Sequence, residues 1–152
     1  MLSDVKRQPG DDTPPWSEVL AHRNPDDLEL TVARFELARV PANLVSATLG
    51  DLGDALFTAC RSGEADWARE FGGSVAVALL AAEVSALAAH LNSRAASVRA
   101  AAVELLLDDF SAVSVAEELG VSRQKVYDIA RASHRTATYI PRVPWRSHER
   151  HV

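Results

Sequence analysis

The sequence predicts an all-α fold, a helical bundle that ends in two short helices and a basic tail. Three observations point there. Alanine is abundant, while runs of Val, Ile, Thr and aromatic residues are scarce, which favours helix over strand. Proline, asparagine and serine stand where helices would begin, and glycine where they would end. The 152 residues are 47% hydrophobic and 24% charged with seven Gly and seven Pro, the make-up of a globular chain with one ordinary core or two small ones.

Residues 1–15 are polar, hold Gly10, Pro14 and Pro15, and read as a flexible arm without the apolar segment of a secretory signal. Thr13 with Pro14 and Pro15 leads into a short helix over 16–22. Asn24-Pro25-Asp26-Asp27 opens the next. It offers a capping amide, a first-turn proline and two carboxylates at the positive end of the helix dipole, and the helix runs to about Arg39. Leu28, Leu30 and Val32 alternate as in a strand, but Leu28, Val32 and Phe35 keep helical spacing and the start signals favour helix. Pro41 ends that helix and opens another over 42–61, with Leu44, Leu49 or Leu52, Leu56 and Cys60 on its apolar side and Gly63 as its stop.

Residues 64–71 predict a short acidic helix with Trp67 and Phe71 on one face, closed by Gly72-Gly73. The Ala-rich segment to about Leu91 is apolar on nearly every side, as expected of a helix buried in a bundle or against a second copy. It has the length of a membrane span, but Glu83 and His90 argue for a buried or interface helix. Those two share a face, which points to core pairing or an interface hydrogen bond rather than catalysis. Asn92 and Ser93 interrupt the pattern and cap a helix over 94–109, with Val98, Ala102, Leu105 and Leu106 inward. Residues 16–93 are therefore expected to form a helical dimerisation region.

Cys60 is the only cysteine, which excludes an internal disulfide and a multi-cysteine metal site, implies a reducing cytoplasm, and suggests a small buried apolar side chain. The five histidines are scattered, so neither a metal nor another cofactor is expected. No glycine-rich phosphate loop, nucleophile elbow or triad spacing marks the chain as an enzyme. The net charge of −5 hides an asymmetry: residues 1–110 hold nine Lys or Arg against 17 Asp or Glu, whereas residues 111–152 hold seven against four. A basic end suits nucleic acid, and the acidic N-terminal part suits a protein partner.

Several requirements meet in 111–133, SAVSVAEELGVSRQKVYDIARAS. Ser114 and Glu117 fit a capping box that starts a helix over 115–119, Gly120 supplies a left-handed turn, and Ser122 caps a second helix over 123–131. Val115, Ala116, Leu119, Val121, Val126 and Ile129 have the spacing of a shared core. That leaves Arg123, Gln124, Lys125, Tyr127, Asp128 and Arg131 outward. Arginine pairs with guanine, glutamine with adenine and aspartate with cytosine, while serine and lysine hold phosphates. Arg123, Gln124 and Tyr127 are therefore expected at base edges, with Ser122, Lys125 and Arg131 nearer the backbone. Asp128 repels phosphate unless it reads a base or orients Arg131 or Arg123.

Through EELGVSRQKVY, with Ala116, Gly120, Val126 and Ile129 at matching positions, the chain resembles the helix-turn-helix superfamily of DNA-binding proteins. LLLDDFSAVSVAEELGVSRQKVYDIAR is similar to the three-helix versions in resolvase C-terminal domains, sigma-factor DNA-reading regions and small bacterial regulators. The resemblance covers about residues 95–133 and implies binding of double-stranded DNA within a domain over 94–133. The tail, 134–152, has Arg135, Arg142 and Arg146 among Tyr139, Ile140, Val143 and Trp145, and its prolines favour an extended arm along phosphates or in a minor groove. The expected function is sequence-specific DNA binding by a homodimeric, cytoplasmic transcription regulator. The rival is a protein-interaction module such as an antitoxin or anti-sigma-like partner, or a DNA-binding factor of replication or partition.

Overall fold

A computed structural model describes residues 13–132, and these are all-helical: α1 (Trp16–Val19), α2 (Pro25–Leu37), α3 (Ala42–Gly50), α4 (Asp54–Arg61), a single 3₁₀ turn (Arg69–Phe71), α5 (Ser74–Asp109), α6 (Ala112–Leu119) and α7 (Arg123–Ala132). They fall into two compact units, residues 13–84 and 85–132, divided within α5. The arm over 1–12 and the tail from 133 lie outside the described residues.

In the first unit local chemistry sets most boundaries. The Asn24 side chain accepts from the Asp26 amide at 3.2 Å, Pro25 takes the first helical position, and α2 follows. It ends where Arg39 turns left-handed at φ 58° and the Val40 amide reaches back to the Phe35 carbonyl at 2.9 Å. Trp16 of α1 stacks on Phe35 of α2 at 5.6 Å, and α1 also packs on α3. Val19, Leu20, Phe35, Val40, Val45, Leu49, Leu56, Phe71, Ala76 and Leu80 are buried.

The structure departs from two sequence expectations here. The helix expected over 42–61 is split, because Leu52 (φ 60°) and Gly53 (φ 82°) are both left-handed and the Asp51 carboxylate accepts from the Gly53 and Ala55 amides. An Asp can satisfy orphan amides at a helix start, so Gly50-Asp51-Leu52-Gly53 is a turn in its own right. Residues 64–71 form turns and the 3₁₀ segment rather than an α-helix. Cys60 is exposed, not buried, since the restarted α4 turns that position outward.

Unit two is built on the later part of α5 together with α6 and α7. Asn92 and Ser93 do not interrupt α5, which runs unbroken for 36 residues. Polar residues cost a helix only tenths of a kilocalorie each, unlike proline. Ala100, Val103, Val115, Ala116, Val126 and Ile129 form the core, with Leu106, Leu107, Val121 and Ala130 packed against it. Val98, Ala102 and Leu105, expected inward, are instead exposed, and Leu119 is largely so. This stretch of α5 is apolar on more than one side, so spacing alone does not select the face that α6 and α7 cover.

Candidate nucleic-acid interface

The surface of α7 is positioned by the caps of α6 and the turn that joins the two helices. Ser111, not Ser114, begins α6: its hydroxyl accepts from the Ser114 amide at 3.2 Å. α6 stops at Gly120, left-handed at φ 66°, and the Val121 amide closes the turn on the Ala116 carbonyl at 3.1 Å. Ser122 then accepts from the Lys125 amide at 3.1 Å and caps α7. A short turn between two caps, with Ala116 buried beside it, holds α6 and α7 close.

Val126 and Ile129 point α7 into the core, so helical geometry at about 100° per residue fixes what lies opposite. Gln124, Asp128 and Arg131 form the outward crest, with Arg123 and Tyr127 on one flank and Lys125 on the other. All six side chains are exposed. On the crest Asp128 is the hub: the Gln124 amide nitrogen donates to its Oδ1 at 3.2 Å and Arg131 donates to the same oxygen at 2.5 Å. The Gln124 hydrogen bond first, and then that from Arg131, hold the Asp128 carboxyl below the ordinary carboxylate value. These contacts link Gln124, Asp128 and Arg131 along the crest, and the Gln124 oxygen is left to accept.

No protein-family model, curated protein or solved structure matches this chain.

Charge around α7 is mixed. The described part of this unit, 85–132, carries five Lys or Arg against six Asp or Glu, with Glu117 and Glu118 on α6 and Glu104 lining a shallow depression beside Gln124, Tyr127 and Arg131. Of the residues expected to touch DNA, Ser122 to Arg131 are brought onto one short helix, while Arg135, Arg142 and Arg146 lie outside the described residues.

Two features of the first unit escaped the sequence reading. Glu83, only 2% exposed, is held by His22 Nε2 at 2.5 Å and by Arg23 through Nε at 2.9 Å and Nη2 at 2.8 Å. The expectation that Glu83 makes a core pair is met, but its partners lie 60 and 61 residues away, and proximity in sequence to His90 gave no hint of them. An open apolar groove of about 790 Å³ is lined by Leu52, Phe57, Cys60, Trp67, Val77 and Val84. Its one sequence signal is the Gly50–Gly53 turn that tips Leu52 outward.

Proposed function

We propose that the chain binds double-stranded DNA through a helix-turn-helix formed by α6 and α7, with α7 in the major groove, and acts as a homodimeric cytoplasmic transcription regulator. The observation that carries this reading is the division of α7: two apolar residues buried in a three-helix core, six long or polar side chains exposed, and a capped N-terminus leading them. Ten helical residues span about 15 Å, enough for the first turns to reach base edges while the rest lies against the backbone.

Each residue has a role that follows from its chemistry. Arg123, next to the cap and unpaired among the described residues, offers the forked donor set that fits guanine. Gln124, its amide nitrogen engaged by Asp128, presents an acceptor that suits the amino group of adenine or cytosine. Tyr127 supplies an apolar edge with a hydroxyl. Lys125 and Ser122 face the phosphates, and Arg131, steadied by Asp128, reaches a phosphate or a base from the crest. The near balance of charge in 85–132 leaves Arg135, Arg142 and Arg146 to supply further phosphate contact. That same balance is what favours the second reading, a docking surface for a protein partner of the antitoxin or anti-sigma kind.

Polarisation titrations of the full chain against labelled random and selected duplexes separate the two readings. Salt-sensitive duplex binding is expected, with Arg123→Ala and Gln124→Ala each relaxing preference for the selected site by about 1–3 kcal/mol. Replacing Arg142 and Arg146 by Ala should instead weaken binding to every duplex and flatten the salt slope. Absence of salt-sensitive binding by the wild-type chain would remove the DNA reading.

A further inference from the structure

The later part of α5 keeps an apolar face that no other described residue covers. Val98 is 70% and Leu105 69% exposed, and Ala101 and Ala102 between them are exposed as well. With Arg94 and Asp109 these residues fall within a stripe about 100° wide on one side of the helix, away from the side on which Ala100 and Val103 meet α6 and α7. Exposed stripes of a water-facing helix are ordinarily charged, and here charge appears only at the two ends.

Those end charges have opposite sign and no ion-pair partner among the described residues. Among the described residues Arg94, Asp108 and Asp109 make no ion pair. The last turn of α5 holds two aspartates and no basic residue, so negative charge sits at the negative end of the helix dipole. Among the described residues no cation pairs with these aspartates, at the helix end where the dipole favours one.

We infer that residues 94–109 of α5 pack antiparallel against the same segment of a second copy of this chain, about a two-fold axis passing between Ala101 and Ala102. Reversal about that axis sets Val98 of one protomer against the partner's Leu105, and Ala101 against the partner's Ala102. It also sets Arg94 against the partner's Asp109, with the partner's Asp108 alongside. Each end of the stripe thereby gains an opposite charge, and the symmetry of the contact supplies this at both ends. The alanines at the axis let the helices approach to the 8–10 Å typical of packed pairs. A contact about 24 Å long is small among protein interfaces, which suits a weak dimer that depends on concentration.

This assignment rests on the dimeric part of the reading above and not on its DNA part, and it places the contact in 94–109 rather than in the 16–93 region the sequence suggested. It also puts the contact in the unit that carries α7, so the two recognition helices are spaced by the dimer itself.

Sedimentation equilibrium of the full chain, without DNA, tests it. The wild-type chain should pass from monomer to dimer as concentration rises. Leu105→Glu should remain monomeric, and Arg94→Glu and Asp109→Arg should each weaken the dimer at least tenfold, because each juxtaposes like charges. An equimolar mixture of Arg94→Glu and Asp109→Arg chains should dimerise again, since every end pair in that heterodimer is of opposite sign. These positions lie outside the core, so each variant should keep the wild-type helix content by circular dichroism. A wild-type chain that stays monomeric, a dimer indifferent to Leu105→Glu, or a mixture that does not recover would each overturn the proposal. So would a monomeric chain that co-sediments with phosphatidylcholine–phosphatidylglycerol vesicles, which would assign the stripe to lipid. Arg123→Ala, read by duplex titration, leaves this equilibrium unchanged, so the DNA reading and the dimer contact fail separately.

Discussion

Replacing Glu83 is the most demanding test of how the first unit is held together. The carboxylate is 2% exposed and accepts three hydrogen bonds, one from His22 and two from Arg23. Deleting it by Glu83→Ala removes the partner of His22 Nε2, in a ring that is fully buried and whose Nδ1 has no hydrogen-bond partner among the described residues. It also strands the Arg23 guanidinium, whose side chain is 26% exposed. Removing one member of a buried ion pair typically costs about 3–5 kcal/mol, because the remaining charge is left desolvated and uncompensated. Glu83→Gln keeps an acceptor for His22 and should cost less than Glu83→Ala, while Glu83→Leu should behave like the alanine variant, since shape without an acceptor does not help the arginine.

The assay is urea unfolding followed by circular dichroism and tryptophan fluorescence, first at pH 7 and then down a pH series. Burial opposes the charge on Glu83, but the hydrogen bonds from His22 and Arg23 outweigh it, so its carboxyl titrates below the ordinary value of 4.5. A carboxylate with a lowered folded value contributes stability that is present above its unfolded value and disappears as pH falls through the folded one. The gap between wild type and Glu83→Gln should therefore be full at pH 7 and narrow only below about pH 4.5. A cost under about 1 kcal/mol for Glu83→Ala at pH 7, or a gap that does not narrow with acid, would refute the argument.

Gly120→Ala should destabilise the second unit by about 1 kcal/mol in urea melts, because φ is 66° there although a Cβ meets nothing within 4 Å. Arg39→Gly should do the reverse and raise stability by up to about 1 kcal/mol, since Arg39 takes the same conformation with a side chain. Ala116→Leu should cost about 1–3 kcal/mol by forcing α6 and α7 apart, and should weaken duplex binding with it. Asp128→Ala, at an exposed position, should leave the melting curve unmoved, yet by freeing Arg131 and Gln124 it should tighten binding to random duplex and reduce discrimination in polarisation titrations.

Much of the helical layout was legible because capping and turn chemistry are local. Asn24 with Pro25, Ser122, Gly120 and Gly72-Gly73 each mark an end through groups only a few residues apart. Where two neighbours offered the same chemistry the choice was not legible: Ser111 and Ser114 both have capping side chains, and it is Ser111 that caps α6. Leu52 carried no warning of its left-handed φ, and only the flanking Gly50, Asp51 and Gly53 did.

By itself, then, the sequence determined that the chain is helical, where most helices start and stop, and that Arg123 to Arg131 offers a polar outer surface over Val126 and Ile129. Tertiary structure decided which face of α5 is inside, that Glu83 answers to His22 and Arg23, and that Asp128 ties Gln124 and Arg131 into one crest. The physical reason is range. Backbone amides and carbonyls at a helix end are satisfied within a turn or two, whereas an alanine-rich helix is nearly equally apolar all round. Only the bodies packed against it choose which residues lose water and which charges are left facing outward.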